Sequence, residues 1–152
     1  MIARLLDEAD RPAMLELARA MQVEQAPDLT FDEGRFNATL DRSLATANPV
    51  IFVAEDAGEV LGFLVASAVN YAACAGFYLE HQLFYVRPDK RGGRAAAKLL
   101  TEANWWADRI KPTDVFASMA WGRRSDAAAR WLRRFGFEPA RQQLLRRRMS
   151  GP

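Results

Sequence analysis

The stretch from Phe84 to Leu100, "FYVRPDKRGGRAAAKLL", limits the choice of fold more than any other part of the chain. An apolar run with strand character stops at Pro88, which cannot continue a hydrogen-bonded ladder. Two cations and two glycines follow, and then an alanine-rich amphipathic segment reads as a helix. A strand running through a basic glycine turn into a helix belongs to a mixed α/β protein. The first amides of a helix lack internal partners and carry the positive end of its dipole. A glycine-rich entry lets anionic oxygens come close to those amides. Lys90, Arg91, Arg94 and Lys98 surround this end with positive charge, so the turn suits a ligand with phosphates.

The elements on either side define the rest of the domain. "IARLL" reads as a short strand, and Asp10 with Pro12 marks the start of a helix running to about Gln25. Thr30 and Glu33 have capping-box spacing for a second helix over 31–46, with Phe36, Leu40 and Leu44 as its buried stripe. "VIFVAED" and "VLGFLVASAV" flank the turn "DAGE" and predict a hairpin. "FYLEHQLFYV" is the next strand. Strict alternation would put Leu79, His81, Leu83 and Tyr85 on one face and Glu80, Gln82, Phe84 and Val86 on the other. The helix after the turn runs to about Ile110, and "DVFASMAW" is a strand. Ser125 can cap a helix over 126–135 that Gly136 closes, and "FEPARQQLLRRRM" is expected as a final strand. The order is β-α-α-β-β-β-α-β-α-β, which predicts a mostly antiparallel sheet of six to seven strands flanked by four helices. One domain over 1–149 is expected, with 150–152 frayed.

Bulk properties exclude several classes. A chain of 152 residues fits one domain. No apolar segment approaches the ~20 residues of a membrane helix, and "MIARLLDEADRP" acquires acids too early for a secretory signal. A cytoplasmic location is therefore expected. The single cysteine, Cys74, rules out an internal disulfide and, with only His81 beside it, argues against a metal site. Net charge is +2, with acids concentrated before Glu59 and arginines crowding the end. Nucleic-acid binding is disfavoured, because the chain has no zinc-finger or helix-turn-helix pattern and carries acids through its first half.

"VRPDKRGGRAAAKLL" resembles the coenzyme-A pyrophosphate signature of the GNAT N-acetyltransferase superfamily, V-x-P-x-x-R-G-x-G-x-G/A-x-x-L-L. Val86, Pro88, Arg91, Gly92, Ala96, Leu99 and Leu100 match. Arg94 replaces the middle glycine, with Gly93 one place earlier. The closing "AARWLRRFGFE" is similar to the family's A-x-x-L-Y-x-x-x-G-F segment, with Gly136 and Phe137 in register and Leu132 where many members carry tyrosine. The resemblance implies a GNAT fold and acetyl-CoA as co-substrate, with no metal. It places the donor on Phe84, Tyr85, Val86, Arg91, Gly92, Gly93, Arg94, Ala95, Ala96 and Ser125, where Ser125 stands for the family's asparagine.

By the same resemblance, Glu80 is the favoured base, because it lies six residues before Val86, where some members carry a glutamate. His81 could serve instead if a bulge shifts the strand's register, and Tyr85 or Tyr78 could stand in for the missing tyrosine acid. Cys74 could be a nucleophile, but "NYAACAG" offers it no base and suits a loop thiol better. The tryptophans are expected mainly in the core. The expected activity is acetyl transfer to a primary amine by direct attack in a ternary complex. The alternative is a catalytically weak acyl-CoA-binding sensor or interaction module. Asp28, Asp32 and Glu33 lie on the acceptor side and also suit helix capping, and "QQLLRRRM" offers an edge for a homodimer.

Overall fold

A computed structural model describes residues 1–117, 125–140 and 146, with Ser125 and Asp126 described in their backbone only. Five strands form one sheet in the order β1-β2-β3-β4-β5: β1 (Ile2–Leu5), β2 (Val50–Asp56), β3 (Glu59–Asn70), β4 (Phe77–Val86) and β5 (Asp114–Ala117). The first three pairings are antiparallel, and β5 runs parallel to β4. Helices α1 (Arg11–Gln25) and α2 (Glu33–Thr46) lie between β1 and β2 in the chain. Helix α3 (Ala95–Ile110) connects β4 to β5, and α4 (Ser125–Arg133) follows. The expected order holds through α4, with five strands among the described residues. Residues 137–140 are not strand, and the rest of the expected last strand lies outside the described residues.

The central strands are covered on both faces, so they read as continuous apolar runs. Ile51, Val53, Phe63, Val65 and Tyr85 meet Met14, Leu17, Met21, Phe36 and Leu40 of α1 and α2. Val50, Phe52, Ala54, Leu64, Phe84 and Val86 meet Leu99, Leu100 and Ala103 of α3 and Leu132 of α4. Ala57 and Gly58, both at positive φ, turn the β2–β3 hairpin as its sequence requires.

The first helix begins where expected and the second begins later, and both caps differ from expectation for local reasons. Asp10 makes no side-chain cap on α1. It is buried, and its carboxylate accepts from Arg4 Nη1 and Nη2 at 2.8 and 2.9 Å and from the Asp7 amide at 2.8 Å. Arg4 also reaches Glu55 at 2.7 Å, so one guanidinium ties β1, β2 and the entry to α1. In α2 the cap is Asp32, whose side chain accepts from the Arg35 amide at 2.9 Å, and the helix begins at Glu33 rather than 31. The Thr30–Glu33 box gives way to this shorter connection. Leu44 is exposed, and Ser43 is buried in its place. Two tryptophans also differ: Trp106 packs against Phe52, but Trp105 is exposed. Trp121 lies outside the described residues.

Asp10 supplies the first test. Arg4 holds its carboxyl below the usual carboxylate range, so the stability it contributes is present above about pH 4 and lost as pH falls through the depressed folded value. Asp10→Asn should cost about 2 kcal/mol at pH 7. Urea unfolding should show the gap to wild type closing as the pH is taken well below 4.

Candidate active site

Strand β4 organises the site. Val65 pairs with Leu83, but the adjacent Ala66 pairs with His81, so Gln82 is an extra residue and β4 carries a bulge there. Ser67 Oγ donates to Gln82 Oε1 at 2.6 Å beside it. The bulge inverts the side-chain alternation below it. His81, opposite Ala66, shares the α3 face with Phe84 and Val86, not the Tyr85 face that strict alternation predicts. Glu80, opposite Ser67, falls on the α1–α2 face with Leu83 and Tyr85.

This register separates the two candidate bases. Glu80 is half-buried and makes no hydrogen bond or ion pair with the described residues. His81 is 1% exposed, its ring lies 5.9 Å from that of Phe137, and Nδ1 has no partner among the described residues. Burial lowers the His81 pKa to about 4. The bulge that could have brought His81 to the cleft instead turns it into the core.

Beyond the bulge, Phe84, Tyr85 and Val86 are all buried. Among the described residues β5 pairs with β4 along Tyr78–His81. The inner edge is pressed close to β3. A Cβ on Gly62 would stand 2.4 Å from the Tyr85 carbonyl oxygen and 3.0 Å from Val86 Cα. Sequence reading passed over Gly62, although a glycine inside an apolar strand run signals such an approach.

After Val86 a 3-10 turn over Pro88–Lys90 leads to Gly92, whose φ of +82° strongly favours glycine. Gly93 lies at negative φ with room around it. Arg94 precedes the first turn of α3, which receives no side-chain cap. Ala95 is buried against the sheet and Ala96 packs on the same core. Lys90, Arg94 and Lys98 are exposed and form no ion pair among the described residues. Arg87 is paired with Glu59 and Asp89.

Arg91, although exposed, folds back onto the protein. Its Nε donates to the Val86 carbonyl at 2.9 Å, its guanidinium carbon lies 5.3 Å from the Tyr85 ring centroid, and both terminal nitrogens bond Glu24 at 2.6 and 2.8 Å. Arg91 holds the Glu24 carboxyl below its ordinary range, and burial raises the Tyr85 hydroxyl. Glu24, in the last turn of α1, is the site residue that the sequence reading missed.

Leu132 is 3% exposed, within the core against α3. The Ser125 side chain lies outside what is described. Cys74 is exposed in the loop after β3, as its surroundings suggest. The described residues contain no cluster of potential metal ligands and no helix long and apolar enough to cross a membrane.

The profile of the acetyltransferase (GNAT) domain family matches residues 47–139, from the turn before β2 to just past α4. The chain belongs to the GNAT acetyltransferase family. No curated protein matches it by sequence. Solved structures share its fold at low identity. A probable acetyltransferase superposes with TM-score 0.78 at 15% identity, covering 100% of both chains. The aminoglycoside acetyltransferase AAC(6')-Iy, in complex with a CoA bisubstrate analogue, gives TM-score 0.75 at 15% identity over 97% of each chain. The aminoglycoside 6'-N-acetyltransferase AAC(6')-IG of Acinetobacter haemolyticus gives 0.72 at 17%, covering 99% of this chain and 100% of the other. The GNAT signature read from Val86 to Leu100 thus lies on the strand–turn–helix unit that the family's fold requires.

Two stability measurements test this geometry. Gly62→Ala forces β3 away from the Tyr85 carbonyl and should cost about 2 kcal/mol. The His81 effect is read against pH. The unfolded imidazole takes up a proton near pH 6.5, but the folded one does so only near pH 4. Stability is therefore full above about pH 6.5 and falls toward pH 4 as the unfolded state binds the extra proton. His81→Leu should remove about 2 kcal/mol of the loss between pH 7 and 4.5, measured by urea unfolding.

Proposed function

We propose that the protein transfers an acetyl group from acetyl-CoA to a primary amine by direct attack in a ternary complex. The observation that carries this reading is the course of the chain from Tyr85 to Ala96. The buried end of β4 leads through a left-handed Gly92 to the uncapped first turn of α3, flanked by three exposed cations that form no ion pair among the described residues. That turn supplies main-chain donors for the diphosphate, and Lys90, Arg94 and Lys98 supply charge. The backbone of Phe84, Tyr85 and Val86 is assigned to the pantetheine and the thioester oxygen, where one well-placed donor is worth on the order of 3 kcal/mol.

In the proposed reaction the neutral amine attacks the thioester carbonyl, a C–N bond forms, the C–S bond breaks and coenzyme A leaves as its thiolate. The amine's proton passes to Glu80, directly or through water. Glu80 suits this role as a half-buried carboxylate with no ion pair among the described residues, on the α1–α2 face of β4. Leu132 cannot donate a proton to the thiolate. A thiol of pKa ~8.5 leaves as an anion at a cost of only ~2 kcal/mol relative to a group matched to pH 7, so transfer proceeds without that acid. The aminoglycoside acetyltransferases among the structural neighbours put amino sugars first in a screen of acceptors, beside polyamines, amino acids and peptide N-termini.

Calorimetry with acetyl-CoA, followed by thiol release across that screen, tests the proposal. Glu80→Gln should lower turnover by about 100-fold and leave acetyl-CoA affinity unchanged. With a lysine-like acceptor, turnover at limiting amine should rise about tenfold per pH unit below the amine's pKa of ~10.4, because the neutral fraction rises so. Binding without thiol release from any acceptor would favour the sensor, a reading that buried Leu132 also suits. Absence of binding would remove the donor assignment.

A further inference from the structure

Arg91 is the residue of the basic turn that the family signature names, and an arginine there would be expected to face the phosphates. Its donors point elsewhere. Three of its nitrogens are engaged by the protein itself: Nε by the Val86 carbonyl, and both terminal nitrogens by Glu24. Its plane lies over the ring of buried Tyr85. Arg91 therefore joins the end of β4, the start of the turn and the last turn of α1.

Glu24 is an unfavourable residue for its position on local grounds. A carboxylate near a helix C-terminus meets the negative end of the dipole, and α1 has no basic residue in its last turn to offset it. The cation that does offset it comes from 67 residues away. The carboxylate and guanidinium meet in parallel, two nitrogens to two oxygens, an arrangement that lysine or glutamine would not reproduce. The titratable groups facing the pair are each other and Tyr85.

We propose that Glu24 is a positioning residue for donor binding: it locks Arg91 into a clamp that fixes the Val86–Gly92 backbone, so that a residue of α1 completes the seat of the diphosphate. The proposal rests on the donor reading above. It divides the cations of the turn into two jobs. Arg91 shapes the backbone, and exposed Lys90, Arg94 and Lys98 meet the phosphate charge.

The opposite arrangement is a latch, in which Glu24 occupies Arg91 until the diphosphate displaces it. The two differ in sign. Coenzyme A is titrated calorimetrically into wild type, Glu24→Gln, Arg91→Lys, the double variant and Asp41→Asn. The last removes a surface carboxylate that pairs with Arg11 at 2.7 Å. The clamp predicts about fivefold weaker binding for Glu24→Gln, similar loss for Arg91→Lys, no further loss in the double variant and wild-type affinity for Asp41→Asn. In turnover the loss should fall on the donor KM more than on kcat. A structural role alone would lower Tm and leave the coenzyme-A Kd unchanged, which overturns the proposal. Tighter binding by Glu24→Gln also overturns it and establishes the latch. If wild type itself fails to bind coenzyme A, the donor reading fails first.

Discussion

The extra residue at Gln82 in β4 is the constraint on which the site depends. A strand presents its side chains with a period of two, and one inserted residue exchanges the faces on either side of it. Without the bulge, the register that buries Phe84 and Val86 against α3 would also turn Glu80 toward that core and His81 toward α1 and α2. With it, the apolar end of β4 packs under α3, Glu80 emerges on the opposite face, and the only histidine goes into the core. Leaving a carboxylate unpaired in the core would cost several kcal/mol, whereas a neutral imidazole is tolerated there. The side chains on either side of the bulge therefore favour this register over the regular one.

A second constraint acts from the neighbouring strand. Gly62 brings the β3 backbone against Tyr85 and Val86, while Arg91 holds the Val86 carbonyl from the other direction. The end of β4 is thus fixed by backbone contact on one side and a charge-assisted hydrogen bond on the other. Half-exposed ion pairs contribute little to stability, so the pairing of Arg91 with Glu24 matters for the path it imposes on the chain.

Much of this was legible in the sequence. Apolar runs bounded by "DAGE" and by Pro88 give β2, β3 and β4 closely, because central strands buried on both faces leave an unbroken hydrophobic record. The turn after β4 was legible as a unit, since proline, glycine pair and alanine-rich helix each punctuate the chain. Helix caps were less so. Asp10 and Thr30 both have capping chemistry, but Arg4 draws Asp10 inward, and Asp32 reaches the Arg35 amide first. The bulge left no local mark, because "EHQL" alternates plausibly in either register. Glu24 was illegible for a different reason. Its partner lies far along the chain, and an isolated acid at a helix end gives no sign of what it faces.

Leu132 bears on how the chemistry is shared out under the proposed reaction. Many relatives place a hydroxyl there to protonate the departing thiolate, whereas here a leucine adds apolar surface to the core between α3 and the sheet. Tyr85 is a poor substitute, since burial raises its hydroxyl pKa and the ring is packed beneath Arg91. With no acid of matched pKa assigned among the described residues, the proposal leaves the thiolate's charge to groups that need not transfer a proton. Under the proposed reaction the positive field of the α3 N-terminus and the cations of the turn act throughout and transfer no proton. Under that proposal they stabilise anionic coenzyme A as it leaves and also hold it afterwards. An enzyme built this way gains its leaving-group assistance from the same electrostatics that bind the donor, so tight donor binding and slow product release are linked by construction.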